Sequence, residues 1–99
     1  MKTISPAELK HMMDAHEDFQ LIDVREPWEV EEVSIGGLNI PMASALQRAG
    51  EISKDKKVVV HCKAGMRSAS VIQALEQKMG YTNLYNLQGG IMAYLGESK

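Results

Sequence analysis

Cysteine is nearly absent: the chain of 99 residues contains one, Cys62. A single thiol excludes an internal disulfide, a Cys-x-x-Cys redox pair and a zinc site built from cysteines. Long apolar runs are also missing. No stretch approaches the ~20 residues of a membrane-spanning helix, so no membrane partner is expected. The opening segment Met1-Lys2-Thr3-Ile4-Ser5-Pro6 has one positive charge and no apolar run. No secretory leader is visible there, and a cytoplasmic location is the expectation, although a leader cut off earlier would leave the same sequence. A large charge imbalance is lacking too. Eleven basic against 13 acidic residues leave a net charge of −2, which gives no reason to expect nucleic acid as a partner. Repeats, low-complexity tracts and linkers are absent. With this length, one domain over residues 1–99 is expected.

What is present is the composition of an ordinary globular protein, 44% apolar and 24% charged. Glu26, Glu29, Glu31 and Glu32 cluster, as do Lys54, Lys56 and Lys57, and both clusters read as solvated faces. Seven scattered methionines read as core filler. Ser5-Pro6-Ala7-Glu8 predicts a helix N-terminus, with Ser at the N-cap, Pro at the first helical position and Glu closing a capping box. Leu9, Met12, Met13 and His16 follow at helical spacing. Residues 19–24 read as a buried strand. Pro27 opens a short helix to about Glu32, Leu38 to Ile40 form a short strand, and one or two helical turns run from Ala43 to Ala49. Lys57-Val58-Val59-Val60-His61 is short, β-branched and apolar, the pattern of a central strand covered on both faces. A helix is expected over residues 68–79 with Gly80 as its stop, a strand over 81–85, a turn at Gly89-Gly90 and a last helix over 91–95. Strands alternate with helices, so the fold class is α/β with a mostly parallel sheet.

Cys62 stands just past the carboxyl end of the central strand, where open α/β sheets bind ligands. A strand–loop–helix turn aims successive backbone N–H groups at one spot beside the positive end of a helix, and Gly65 supplies the freedom for such a curl. A thiol placed there, near Lys63 and Arg67, is expected to ionise easily and to act as a nucleophile. An electrophilic sulfur would convert it to a persulfide, which a second nucleophile would discharge without a resolving cysteine. The bland alternative is that Cys62 is a small buried hydrophobe.

The loop His61-Cys62-Lys63-Ala64-Gly65-Met66-Arg67-Ser68 resembles the active-site loop of the rhodanese family of sulfurtransferases. Leu21-Ile22-Asp23-Val24-Arg25-Glu26-Pro27-Trp28-Glu29 with Gly37-Leu38-Asn39-Ile40-Pro41 resembles the family's upstream signature, and Leu87-Gln88-Gly89-Gly90 its C-terminal one. The three occur in order over essentially the whole chain. The resemblance implies a small sheet of about five strands flanked by helices on both faces. It implies a sulfane sulfur carried on Cys62 and cradled by the amides of Lys63, Ala64, Gly65, Met66, Arg67 and Ser68. Arg67 would favour an anionic donor such as thiosulfate as a planar fork, Lys63 would add a point charge, and Asp23 and Arg25 would form a structural ion pair near the site. The implied partners are a small anionic sulfur donor, a thiophilic acceptor and, in one version, a sulfur-relay protein; no cofactor is implied. Two departures mark this chain. Val33-Ser34-Ile35-Gly36 replaces the usual Gly-His-Ile and Pro, and no tryptophan follows the Gly-Gly pair, where Tyr94 or Leu95 stands instead.

Three rivals compete. A cysteine phosphatase would place arginine six residues after the Cys, His-Cys-x5-Arg, with five residues between them; here four intervene between Cys62 and Arg67, a curl suited to one sulfur atom rather than a phosphoryl group. A binding module without chemistry would not need Cys62, Gly65 and Arg67 together. A metal site would need better spacing than His11 and His16 on one helix. His61 reads as a strand-end residue whose side chain points away from that of Cys62.

Overall fold

The computed structural model describes residues 1–97, so the last two positions of the expected 1–99 domain lie outside the described residues. The elements in chain order are β1 (Lys2–Ile4), α1 (Pro6–Asp14), β2 (Gln20–Asp23), α2 (Pro27–Glu32), β3 (Leu38–Asn39), 3-10 turns at Met42–Ser44 and Ala49–Glu51, β4 (Val58–His61), α3 (Met66–Met79), β5 (Leu84–Leu87) and α4 (Gly90–Glu97). The five strands form one sheet in the order β1-β5-β4-β2-β3, and every pairing is parallel. The fold is α/β, with helices on both faces, as the alternation of strand and helix signals predicts.

The period of two in the strands divides the core. Ile22, Val58 and Val60 face one side, where Val71, Ile72 and Leu75 of α3 cover them. Leu21 and Val59 face the other, against Leu9 and Met12 of α1. All four residues of β4 are buried, which explains its continuous apolar run. Helix α1 starts where the capping box places it: the Glu8 N–H donates to Ser5 Oγ at 3.1 Å and the Ser5 N–H to Glu8 Oε1 at 3.0 Å. That reciprocal cap contributes about 1 kcal/mol.

Several expectations are corrected. His16 is not on the helical stripe; it follows the end of α1 with φ of 53°, and the Glu17 N–H reaches back to Met12 O and closes the turn. Strand β1 carries no periodic signal of its own and exists because Lys2, Thr3 and Ile4 pair with Tyr85, Asn86 and Leu87 of β5. The last strand covers 84–87 rather than 81–85. Tyr81 instead turns inward, its hydroxyl between the carbonyl oxygens of Ala49 at 2.7 Å and Ile52 at 3.0 Å. The Asn83 amide donates to Ser53 O and Lys56 O. Burial of one large side chain and these turn contacts override the local preference for an extended strand.

Candidate functional site

Loops after β2, β4 and β5 meet at the carboxyl edge of the sheet. The loop after β4 is shorter than the sequence suggests. Gly65 takes a left-handed conformation, φ 109°, and turns the chain directly into α3, which begins at Met66 rather than near Ser68. A side chain other than glycine is strained at that φ. The tight turn brings the Gly65 N–H to 3.1 Å from Cys62 Sγ. Ser68, already inside α3, places its Oγ 3.4 Å from the same sulfur.

Cys62 is 1% exposed, so burial alone would fit a packed core thiol. Its polar surroundings are what distinguish it. Burial pushes the thiol up, but the Ser68 hydroxyl and the backbone N–H groups of Ser68, Gly65 and Ala64 outweigh it, and the Cys62 pKa lies below the ordinary thiol value. The fourteen-residue α3 presents its positive end to the same atom. Ser68→Ala is therefore expected to raise this pKa. The thiolate exists above the pKa, so the pH midpoint of iodoacetamide alkylation should move upward in the variant; an unmoved midpoint would assign the depression to the amides alone.

Two residues hold the loop that sequence reasoning did not single out for this role. Asn86 on β5 donates from Nδ2 to Gly65 O at 3.1 Å, and its Oδ1 lies 2.6 Å from Ser68 Oγ, where it competes with the Cys62 sulfur for the one hydroxyl proton of Ser68. Its only sequence signal is a polar residue inside the run Leu84-Tyr85-Asn86-Leu87. Gly90, which opens α4, lies against the loop so closely that a Cβ would stand 2.3 Å from Lys63 O. Free of that atom, α4 caps the loop carbonyls, with Ile91 N–H on Cys62 O at 2.9 Å and Met92 N–H on Lys63 O at 3.2 Å. Lys63, Ala64 and Met66 are exposed at the surface of the loop.

The second wall comes from β2 and α2. Asp23 and Arg25 form a buried ion pair at 2.8 Å. Arg25 also donates to Val33 O at 2.8 Å and Glu29 O at 3.3 Å, tying α2 to the sheet. His61 is buried between two groups that accept, with Nδ1 3.2 Å from Cys62 O and Nε2 3.6 Å from Asp23 Oδ2. Burial pushes the His61 pKa down more than Asp23 raises it, and both ring nitrogens face these groups rather than the Cys62 sulfur.

Arg67 extends from α3 to Glu29 on α2, Nη1 to Oε2 at 2.7 Å and Nη2 to Oε1 at 2.9 Å. Glu29 is 8% exposed, so the solvated-face reading of the acidic cluster fails at this position. The Arg67 fork holds the Glu29 carboxyl at about 2, down from 4.5. A depressed carboxylate stabilises the fold fully above its unfolded value and loses that contribution as pH falls toward the folded one. The urea midpoint of the wild type should therefore fall between about pH 5 and about pH 2 more steeply than that of Glu29→Gln; parallel curves would show that the pair contributes nothing to stability.

A cavity of about 130 Å³ opens between α2 and α4, lined by Trp28, Glu29, Lys63, Ile91, Met92 and Leu95 among others. Trp28 and Leu95 thus wall the region where tryptophan is missing after the Gly-Gly pair. A larger cleft of about 410 Å³ lies beside α1 and shares no residue with the Cys62 loop. Among the described residues, His11 and His16 join no group of three or more side chains able to hold a metal, and no helix is long and apolar enough to cross a membrane.

The chain is similar to known proteins. The family described as Rhodanese-like domain matches residues 5–97. The protein YtwF of Bacillus subtilis (strain 168), which bears the provisional name of a sulfurtransferase, is 40% identical over 100 residues, covering 100% of this chain and 95% of its own. A protein of Allochromatium vinosum named sulfurtransferase is 37% identical over 92 residues, covering 92% of this chain and 85% of its own. The crystal structure of a rhodanese-related protein from Thermoplasma volcanium superimposes with a TM-score of 0.86 at 32% identity, over 98% of this chain and 93% of that one.

Proposed function

The chain belongs to the rhodanese-like domain family, and from that membership we propose that it moves a sulfane sulfur from an anionic donor to a thiophilic acceptor through a persulfide on Cys62. The whole chain acts as one such unit in this reading. The observation that carries it is the position of Cys62 Sγ, 3.1 Å from the Gly65 N–H at the mouth of α3. The Cys62 thiolate attacks the outer sulfur of thiosulfate. A Cys–S–S bond forms, the donor's S–S bond breaks, and sulfite leaves with the electron pair. The outer sulfur of the persulfide carries the negative charge. The loop amides of residues 63–68 are preorganised to hold it, which requires no rearrangement when charge arrives. Asp23 and Arg25 act as a scaffold that fixes the loop's neighbour α2. No cofactor and no metal enters the cycle, and the reading assigns no role to nucleic acid or membrane; it places the work in the cytoplasm.

A sulfur-relay version uses the same persulfide and differs only in delivering it to a partner protein. One observation favours it: Trp28 at 61% and Met66 at 82% exposure leave large apolar side chains uncovered beside the loop. The decisive experiment is intact mass after incubation with thiosulfate. A gain of about 32 Da, one sulfur atom, mapped to the peptide containing Cys62, is expected. No gain with any sulfane donor would sink the mechanism. Full loading with slow turnover to small acceptors would place the acceptor on a partner.

A further inference from the structure

Arg67 is the side chain of the loop best suited to an anion, yet its fork is already closed. Both terminal nitrogens bond the two oxygens of Glu29 at 2.7 and 2.9 Å, the two-point geometry that arginine offers to carboxylates. Glu29 is itself held in place. It is buried, and its Oε2 also accepts the Glu26 N–H at 2.9 Å. The Arg67–Glu29 unit therefore presents no net charge to an incoming donor. Arg25, a buried cation, is likewise answered by Asp23. Lys63 remains as an exposed point charge. The cavity beside the loop is lined by the apolar side chains of Trp28, Val33, Ile91, Met92 and Leu95, with the carboxylate of Glu32 among them.

Lys63 apart, these features act in one direction. A dianion approaching a thiolate needs local positive charge to offset the repulsion, and here the strongest source is neutralised. A donor of lower charge with an apolar body loses less and gains contact with the cavity wall. Resting on the persulfide reading above, we propose that Glu29 is a specificity-determining residue: by closing the Arg67 fork it biases the Cys62 site toward apolar, low-charge sulfane donors and against inorganic dianions. Glu29 touches no reacting atom and acts through Arg67, as a positioning residue. For an organic thiosulfonate, the Cys62 thiolate attacks the terminal sulfur. The new Cys–S–S bond forms, the sulfur–sulfur bond of the donor breaks, and an organic sulfinate departs with the electron pair. One negative charge on each reactant becomes one on each product, and no oxidant or reductant is needed.

The test compares benzenethiosulfonate with thiosulfate as donors, with cyanide as acceptor, in the wild type, Glu29→Gln and Glu29→Asp. The wild type should favour benzenethiosulfonate in kcat/KM. Glu29→Gln should raise kcat/KM for thiosulfate about tenfold, through KM with kcat nearly constant, and change benzenethiosulfonate by less than about threefold. Glu29→Asp, which keeps the carboxylate, should hold the wild-type preference; a purely structural role would not separate the two variants by donor charge. An unchanged donor ratio in Glu29→Gln overturns the inference. If Glu29→Gln does not fold, as judged by circular dichroism, Trp28→Ala decides. At this exposed position it should raise KM for benzenethiosulfonate about fivefold and leave thiosulfate unaffected, and equal effects on both donors overturn the inference. Failure of both donors to load Cys62 would instead strike the persulfide reading, whereas loading with an unchanged ratio strikes only the role of Glu29.

Discussion

Replacing Cys62 with serine is expected to reduce sulfur transfer by at least about 10³-fold, to the background of the assay, while the fold survives. The two halves of that expectation have separate causes. Serine oxygen is a poor nucleophile at neutral pH, and no group here is placed to take its proton: the neighbouring His61 ring is engaged with Cys62 O and faces Asp23. Its fold should hold because the Gly65 N–H that meets Sγ can equally donate to Oγ. Serine is also smaller than cysteine, so it enters without overpacking. Thermal unfolding within a few degrees of wild type, with no sulfur adduct and no thiocyanate formed, is the expected pair of results. Residual turnover above about a tenth of wild type would mean that the sulfur travels by another route.

Arg25→Leu is expected to have the largest effect on stability, a loss of about 3–5 kcal/mol. The cause is the charge left behind rather than the bond removed. Asp23 and Arg25 are both buried, and Arg25 answers Asp23 through Nε at 3.1 Å and Nη2 at 2.8 Å. Without the guanidinium, a carboxylate stays in the interior, and the carbonyls of Val33 and Glu29 lose a donor. A domain of this size is stable by about 5–15 kcal/mol, so the midpoint of thermal unfolding should fall on the order of 20 °C. The double variant Asp23→Leu with Arg25→Leu should recover part of the loss, because removing both partners leaves no orphan charge. A single-variant cost under about 1 kcal/mol would mean that the pair is better solvated than its burial implies. Because Arg25 ties α2 in place, the same variant should also disturb Glu29 and, through it, Arg67.

The site was legible in the chain to the extent that its signals are local. Cys62 after an apolar run, Gly65 three residues on, and a helical stripe beyond them place a thiol at a strand–helix junction without knowledge of any distant contact. Ser5 with Glu8, and Pro27, mark helix starts for the same reason: a cap is satisfied within four residues. The positions that were misread depend on partners far along the chain. Tyr81 left its expected strand to reach Ala49 and Ile52. Lys2 to Ile4 became a strand because β5 offered an unpaired edge. Gly90 reads as a turn residue until the backbone of Lys63 is seen pressed against it.

By itself, then, the sequence determined the α/β alternation, the family, and which thiol stands at the carboxyl edge of the sheet. Periodicity, capping and motif order act over a few residues and survive without coordinates. Only the tertiary structure decided how that thiol is treated. It brought the Asn86 amide to the Gly65 carbonyl and set Ser68 beside the sulfur. It also carried Glu29 to Arg67 across 38 residues of chain. Charge is a property of the residue, but whether a charge is free to meet a substrate depends on what the fold places opposite it.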